Sequence, residues 1–201
     1  EEVHGEIKNY LPLISVRQQK GKKIKIRPVL DYRELNRFIE SHPGGSVPIC
    51  NERIRQWRQI GTDTAVLDLK KAYLQIFVDQ SQWVYQAIKW HGKTYLLTRL
   101  GFGLCSAPKV MTKIVEFILG QKETIKSGVT SYIDDIYIDE KQVKAEEVKK
   151  HLMDWGLKSK EVEYVGKRDP VRVLGLKIDE KLQWMRDGKF PEIDKEMLTR
   201  K

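Results

Sequence analysis

Ser131-Tyr132-Ile133-Asp134-Asp135-Ile136-Tyr137-Ile138 sets two adjacent carboxylates inside a run that is otherwise apolar and β-prone. Tyr and Ile favour extended backbone, so the run reads as strand, with the Asp-Asp pair where a hairpin turn would interrupt it. Two like charges side by side are costly to bury unless something positive compensates them. Two explanations stand at this point: an exposed turn, where Asp is common, or a seat for a hard cation.

Working outward, Thr64-Ala65-Val66-Leu67-Asp68-Leu69 reads as a buried strand with an acid near its end, and that acid needs a partner. If this strand and the hairpin are neighbours in one antiparallel sheet, Asp68, Asp134 and Asp135 come within a few ångströms of each other. Three carboxylates without a matching cation cannot all stay ionised at neutral pH unless metal is bound. Oxygen-only ligands select Mg²⁺ or Mn²⁺ over zinc. A pair of such ions about 3.5–4 Å apart suits an in-line phosphoryl displacement.

The intervening chain supplies the frame. Lys70–Ile76 reads as a helical turn or bend, and Trp83–Trp90 and Thr94–Thr98 as strands joined at His91-Gly92-Lys93. Ser106-Ala107-Pro108 opens a helix whose buried face is Val110, Met111, Ile114, Val115, Ile118 and Leu119, closed by Gly120. After the hairpin comes a helix with Ala145, Val148, Leu152 and Trp155 inward, ending at Gly156. Val171–Ile178 and Leu182–Met185 suggest a further strand pair, and Asp194–Lys201 the start of a helix.

Towards the N-terminus, a strand over Leu11–Val16 runs into a basic tract: Arg17, Lys20, Lys22, Lys23, Lys25 and Arg27, with no acid among them. It reads as a hairpin with one cationic face, either solvated or turned to phosphates. Asp31–Ile39 predicts a short helix, His42–Ser46 a loop, and Asn51 the cap of a helix carrying Ile54, Trp57 and Ile60 up to Gly61. This order lacks regular βαβ alternation, so the expected class is α+β, an antiparallel sheet with helices on one face.

Composition narrows the function classes. The chain has 201 residues, 40% hydrophobic and 32% charged, with Lys+Arg 37 against Asp+Glu 28 and a net charge of +9, which suits a polyanionic partner. There is no run long enough to span a membrane and no signal-peptide pattern. Cys50 and Cys105 form no paired motif, which argues against a disulfide framework and for an intracellular, reducing home; both read as small buried hydrophobes. His4, His42, His91 and His151 have no ligand-like spacing with either Cys, which argues against zinc. A chain that begins Glu1-Glu2-Val3 is expected to be a piece of something longer.

Leu67-Asp68-Leu69-Lys70-Lys71-Ala72-Tyr73 resembles the first catalytic motif of reverse transcriptases, and Tyr132-Ile133-Asp134-Asp135 their Tyr-x-Asp-Asp motif. Arg27-Pro28-Val29-Leu30-Asp31-Tyr32-Arg33-Glu34-Leu35-Asn36 is similar to the fingers motif of the retroviral and retrotransposon enzymes. Leu97–Leu104 with Ser106-Ala107-Pro108 resembles the template-and-nucleotide motif before the long palm helix. Trp155-Gly156-Leu157 and Leu174-Gly175 resemble later palm motifs, the last being the primer grip. The resemblance is to the Pol polyprotein of LTR retrotransposons and retrovirus-like elements, and it runs from about Leu11 to Ile178.

The resemblance implies a right-hand polymerase fold: fingers plus a ferredoxin-like palm, an antiparallel sheet backed by helices, without a thumb. Its divisions would be 1–63 fingers, 64–80 palm strand with the first Asp, 81–107 fingers again, 108–178 palm, and 179–201 a primer-grip extension and truncated thumb. It implies RNA- and DNA-templated DNA synthesis from dNTPs, with two Mg²⁺ ions (or Mn²⁺) held by Asp68, Asp134, Asp135 and the Leu69 carbonyl. Lys20 (or Lys22 or Lys23 in its place), Arg27, Tyr73 and Phe102 would bind the dNTP, with Tyr73 closing against a ribose 2′-hydroxyl. Tyr132, facing away from the core, and Leu174 and Gly175 would meet template and primer. Lys158 or Lys160 would supply a cation near the pyrophosphate. The implied partners are an RNA or DNA template with primer and the remaining Pol segments, thumb and RNase H, and no membrane. The implied location is the cytoplasm, within virus-like particles, and the implied synthesis by this piece is weak and distributive.

Two departures from the family pattern stand out. Phe102 replaces a Gln that touches the nucleotide, so contact there must be by packing, and Gly101 replaces a Pro, which is expected to loosen the loop. A catalytically silent, nucleic-acid-binding relative is the alternative, and loss of an acid would be its mark. A two-metal nuclease or cyclase would leave the fingers motif and Tyr73 unexplained.

Overall fold

In the computed structural model the described residues are 6–20, 23–40, 50–167, 170–179, 181 and 183–186. Strands β1 (Leu13–Lys20) and β2 (Lys23–Leu30) form the N-terminal antiparallel hairpin. Val16 pairs with Arg27 and Arg17 with Ile26, so alternation puts Lys25 and Arg27 on one face and Arg17 on the other with Ile24 and Ile26. The cationic face therefore lacks Arg17. One helical turn follows, α1 (Arg33–Asn36), then α2 (Cys50–Ile60), which already includes Asn51 instead of starting after it. Gly61 at φ 83 ends α2.

β3 (Thr64–Asp68) leads into a 3₁₀ turn at Ala72–Gln75 and a one-turn helix α3 (Gln80–Trp83), where a strand was expected. The Asp79 carboxylate accepts from the Ser81 N–H and caps that turn, which delays the strand to β4 (Ala87–Trp90). β4 pairs with β5 (Lys93–Leu96) across His91-Gly92, both at positive φ as a two-residue hairpin turn demands. Next come α4 (Ala107–Leu119), an unanticipated α5 (Glu123–Gly128), β6 (Val129–Tyr132), β7 (Asp135–Asp139) and α6 (Ala145–Asp154). β8 (Glu163–Tyr164), β9 (Val171–Val173), β10 (Leu176–Ile178) and β11 (Trp184–Arg186) complete the described chain. The loop expected at His42–Ser46 and the helix expected over Asp194–Lys201 lie outside the described residues.

The units β3-α4-β6 and β7-α6-β8 share one antiparallel sheet of order β6-β7-β3-β8, a split βαβ arrangement. One face carries Ala65 and Leu67 of β3 with Ile136 and Ile138 of β7, packed on Met111 and Val115 of α4 and Val148 and Leu152 of α6. The other face carries Val66 and Tyr137 and is covered by Trp57 of α2 and by β9 and β10, so helices do not occupy one face only. Trp57 stacks flat on Tyr137 at 4.6 Å between centroids, and its Nε1–H donates to Thr130 Oγ1 at 2.6 Å. The sheet is thus pinned from behind at β6 and β7.

Three side chains depart from expectation. Trp155 is half-exposed, edge-on to Phe117, and not part of the core. Cys105 is exposed, because Asn36 holds its loop at the surface: the Cys105 N–H donates to Asn36 Oδ1 and Asn36 Nδ2 donates to the Gly103 carbonyl. Gly101 is buried and not loosening: a Cβ there would meet the hydroxyl of Tyr32. Among the described residues no helix is long and apolar enough to cross a membrane.

Candidate active site

β3 and β7 pair with Asp68 directly opposite Asp135. Both acids alternate onto the face of Val66 and Tyr137, because Leu67 and Ile136 point into the helix-side core. Opposed residues of an antiparallel pair have Cβ atoms about 4.5–5.5 Å apart, so the two carboxylates are neighbours by register alone. Asp134 is one residue further, in the two-residue turn Ile133-Asp134 that closes β6 onto β7, where Tyr132 pairs with Asp135. Such a turn asks for positive φ, which Gly usually supplies; here Ile133 takes φ 58 and packs its side chain against the helix-side core. The Leu69 N–H donates to the Asp134 carbonyl at 3.3 Å and ties the turn to the end of β3.

The acids are electrically crowded. Burial, then the charges of Asp134 and Asp68, push the Asp135 carboxyl up to about 7, against a hydrogen bond from the Leu174 N–H and the nearby Lys160. Burial likewise raises Asp134, opposed by a hydrogen bond from its own backbone, with Asp68 adding to the rise and Lys160 opposing it. Leu174 and Gly175, at φ 50 and 75, form the tight turn of the β9–β10 hairpin, so Val171–Ile178 is two strands and not one.

Asp68 has its own partner. Lys160 Nζ lies 2.5 Å from Asp68 Oδ2, and this bond raises the ammonium's pKa. Between the two cations that the sequence leaves open, Lys160 reaches the acids. Lys158 is instead held by its backbone: its N–H donates to Gln75 Oε1 at 2.7 Å, and its carbonyl accepts from Gln75 Nε2 at 2.9 Å.

Tyr73, in the 3₁₀ turn after β3, is half-buried, and its phenol is raised by burial, then by the charges of Asp134 and Tyr132. Its ring meets that of Phe102 at 5.5 Å, tilted by 58°. Phe102 is otherwise 69% exposed. Tyr132 is half-buried against the Trp57 cluster, which corrects the expectation that it faces away from the core. Arg27 is exposed on β2, and among the described residues no interaction joins it to the acids. The Lys20 side chain and Lys22 lie outside the described residues.

A family model described as "Reverse transcriptase (RNA-dependent DNA polymerase)" matches residues 18–178, most of the chain. The chain belongs to the reverse transcriptase family. It is 33% identical over 131 residues to the Pro-Pol polyprotein of Simian foamy virus type 1, a match that takes in 63% of this chain but 11% of that protein. Its fold is similar to that of the foamy viral protease-reverse transcriptase, solved with double-stranded DNA (TM-score 0.64, 23% identity, 92% of this chain and 38% of that one). The same enzyme with an RNA/DNA hybrid gives a TM-score of 0.66 at 21% identity, over 92% of this chain and 24% of that one. The reverse transcriptase domain thus spans a small part of the length of its relatives.

The donor set of this reverse transcriptase domain suits a hard divalent cation: carboxylate oxygens, partly buried, with Asp134 and Asp135 both pushed toward the neutral form by burial first and then by neighbouring carboxylate charge, that of Asp68 in each case. As the side chains stand, no three His, Cys, Asp or Glu among the described residues converge to hold an ion. Asp68 is turned to Lys160 instead.

The missed supports are Gln75 and the Leu174 N–H, together with the choice of Lys160 over Lys158 as the partner of Asp68. Gln75 bridges segments 83 positions apart and Lys160 reaches back 92, so neither role has a local signal. The N–H of Leu174 is equally invisible in a sequence.

A pH dependence follows. The unfolded chain ionises Asp135 near its ordinary 3.8, the native chain only near 7, so between these values the native state binds more protons. Without divalent metal, stability must therefore fall as pH rises from 5 to 8. The expected loss is about 2–3 kcal/mol, or about 4–12 °C in melting midpoint. Melting in EDTA at stepped pH checks it, and a midpoint that rises over this range refutes it.

Proposed function

We propose that this chain carries the nucleotide-addition site of an RNA- and DNA-templated DNA polymerase acting in retroelement replication. The carrying observation is the register that sets Asp68 opposite Asp135, with Asp134 held in the adjoining turn. In this reading the central sheet with α4 and α6 is the palm, and the β1–β2 and β4–β5 hairpins with their loops are the fingers. The primer 3′-hydroxyl attacks the α-phosphorus of a dNTP and pyrophosphate leaves. Two Mg²⁺ ions, when bound, would polarise the attacking and leaving oxygens. Asp68, Asp134, Asp135 and the Leu69 carbonyl would hold them.

The other residues bind and orient. Arg27 and Lys20, on a basic hairpin, draw the triphosphate, an attraction that weakens with salt. Phe102 braces Tyr73, whose ring excludes a 2′-hydroxyl. Lys160 serves the acidic side, and the β9–β10 turn at Leu174-Gly175 meets the primer. Template, primer and further Pol segments are the partners, in a cytoplasmic particle.

Primer extension on RNA and DNA templates with dNTPs and Mg²⁺ or Mn²⁺ tests the reading. Template-directed products support it. Template binding without extension favours the catalytically silent relative, for which the Lys160–Asp68 pair is the one favourable observation. Tyr73→Ala is expected to admit ribonucleotides, raising their relative kcat/KM by about 10–100-fold, as a lost steric contact of a few kcal/mol would. An unchanged preference between rNTP and dNTP removes Tyr73 from the gate.

A further inference from the structure

Lys160 occupies an acid that the proposed function needs as a metal ligand. A carboxylate oxygen that accepts from an ammonium 2.5 Å away presents less of its lone-pair density to an ion. The pair is open to water, with the side chains of Lys160 and Asp68 53% and 37% exposed, so it can be broken without unpacking a core.

The backbone around Lys160 is built to keep it there. Its N–H donates to the Asp68 carbonyl at 2.8 Å, and the Lys70 N–H donates to the Lys158 carbonyl at 2.9 Å, a bridge centred on Leu69 and Ser159. The Gln75 amide closes the other side. Its Oε1 accepts from the Lys158 N–H, and its Nε2 donates to the carbonyls of both Lys70 (2.8 Å) and Lys158 (2.9 Å). The segment from Lys158 to Lys160 is thereby registered against the end of β3, and the lysine side chain has only its own length in which to move.

We propose that Lys160 is a tethered counter-ion of Asp68 that an arriving divalent cation must displace, and that Gln75 is the positioning residue that keeps it in reach. The inference rests on the metal reading given above. In the metal-free chain the ammonium relieves the repulsion among the three acids and lets the hairpin and β3 stay paired. When an ion arrives, the ammonium leaves Asp68 and is available to an anionic ligand on the same side. Metal affinity is lower than the carboxylates alone would give, and the site is held ready without metal.

Direct Mn²⁺ binding to the whole chain, followed by the electron paramagnetic resonance of the free ion, tests this without any turnover. Lys160→Met is expected to tighten Mn²⁺ by about three- to tenfold, the size of a partly exposed ion pair plus the repulsion removed. Lys160→Arg, which keeps the charge, should stay near wild type. Gln75→Leu keeps the charge but removes the clamp; it should also tighten Mn²⁺, and add nothing in a Lys160→Met background. Mn²⁺ binding that depends on Asp68 yet is unmoved by Lys160→Met overturns the inference and leaves the metal reading intact. Binding unaltered by Asp68→Asn overturns both. An unmoved Gln75→Leu, with Lys160→Met tightened, removes the role given to Gln75.

Discussion

Asp134→Asn is expected to lower single-nucleotide primer extension by at least about 10²–10³-fold, the scale on which a preorganised charge in a catalytic site acts. The substitution is isosteric, and the turn keeps its backbone, because the bond from Leu69 goes to the carbonyl of residue 134 and not to its side chain. It also removes a buried charge that Asp68 repels, so the melting midpoint should hold or rise. Template binding, which the proposed function assigns to residues other than Asp134, should stay within about twofold by gel shift. Loss of extension together with retained melting and retained binding is therefore the expected pattern. Extension above a tenth of wild type would refute the assignment of Asp134. Asp135→Asn should be the milder change, since an amide oxygen can still accept from the Leu174 N–H.

Gly101→Ala is expected to destabilise the fold by about 2–4 kcal/mol, as overpacking and a lost buried hydrogen bond together would. A Cβ at 101 would lie 2.0 Å from Tyr32 Oη, 2.3 Å from Tyr32 Cζ and 2.6 Å from Gln86 Oε1. Tyr32 and Gln86 are each 3% exposed and bonded to each other at 2.9 Å, so neither can step aside into solvent. Gln86 Nε2 also donates to the Arg99 carbonyl, which carries the disturbance into the segment before Phe102. For a chain of this size the midpoint should fall by about 4–16 °C. A variant that melts within 2 °C of wild type would show that the loop has room which its packing denies. The glycine is thus explained by close approach between two motifs far apart in sequence: the segment around Tyr32 and the loop at 101–105.

What could be read in advance divides along physical lines. β3 and β7 were legible because consecutive apolar β-formers leave few other readings, and α4 because Met111, Val115 and Ile118 repeat at helical spacing. The turn at Leu174-Gly175 was hidden inside an apolar run, since a two-residue turn takes up no polar linker. α3 was hidden by the aromatic Trp83, which suggested strand while Asp79 two residues before Ser81 was already a cap. Of the site, the three acids stood out as charges in apolar company. The partners that orient them did not: a backbone N–H at 174 and an amide at 75 act through the tertiary fold, where local pattern has no reach.

The conformation of Ile133 bears on the rigidity of this hairpin. A β-branched residue at φ 58 is strained by roughly 1–3 kcal/mol, and Gly would remove that strain at once. The isoleucine side chain, however, packs against the helix-side core and wedges the turn onto it, and a turn held this way gives Asp134 one address. The domain trades some of its margin against heat for a fixed position of a single carboxylate.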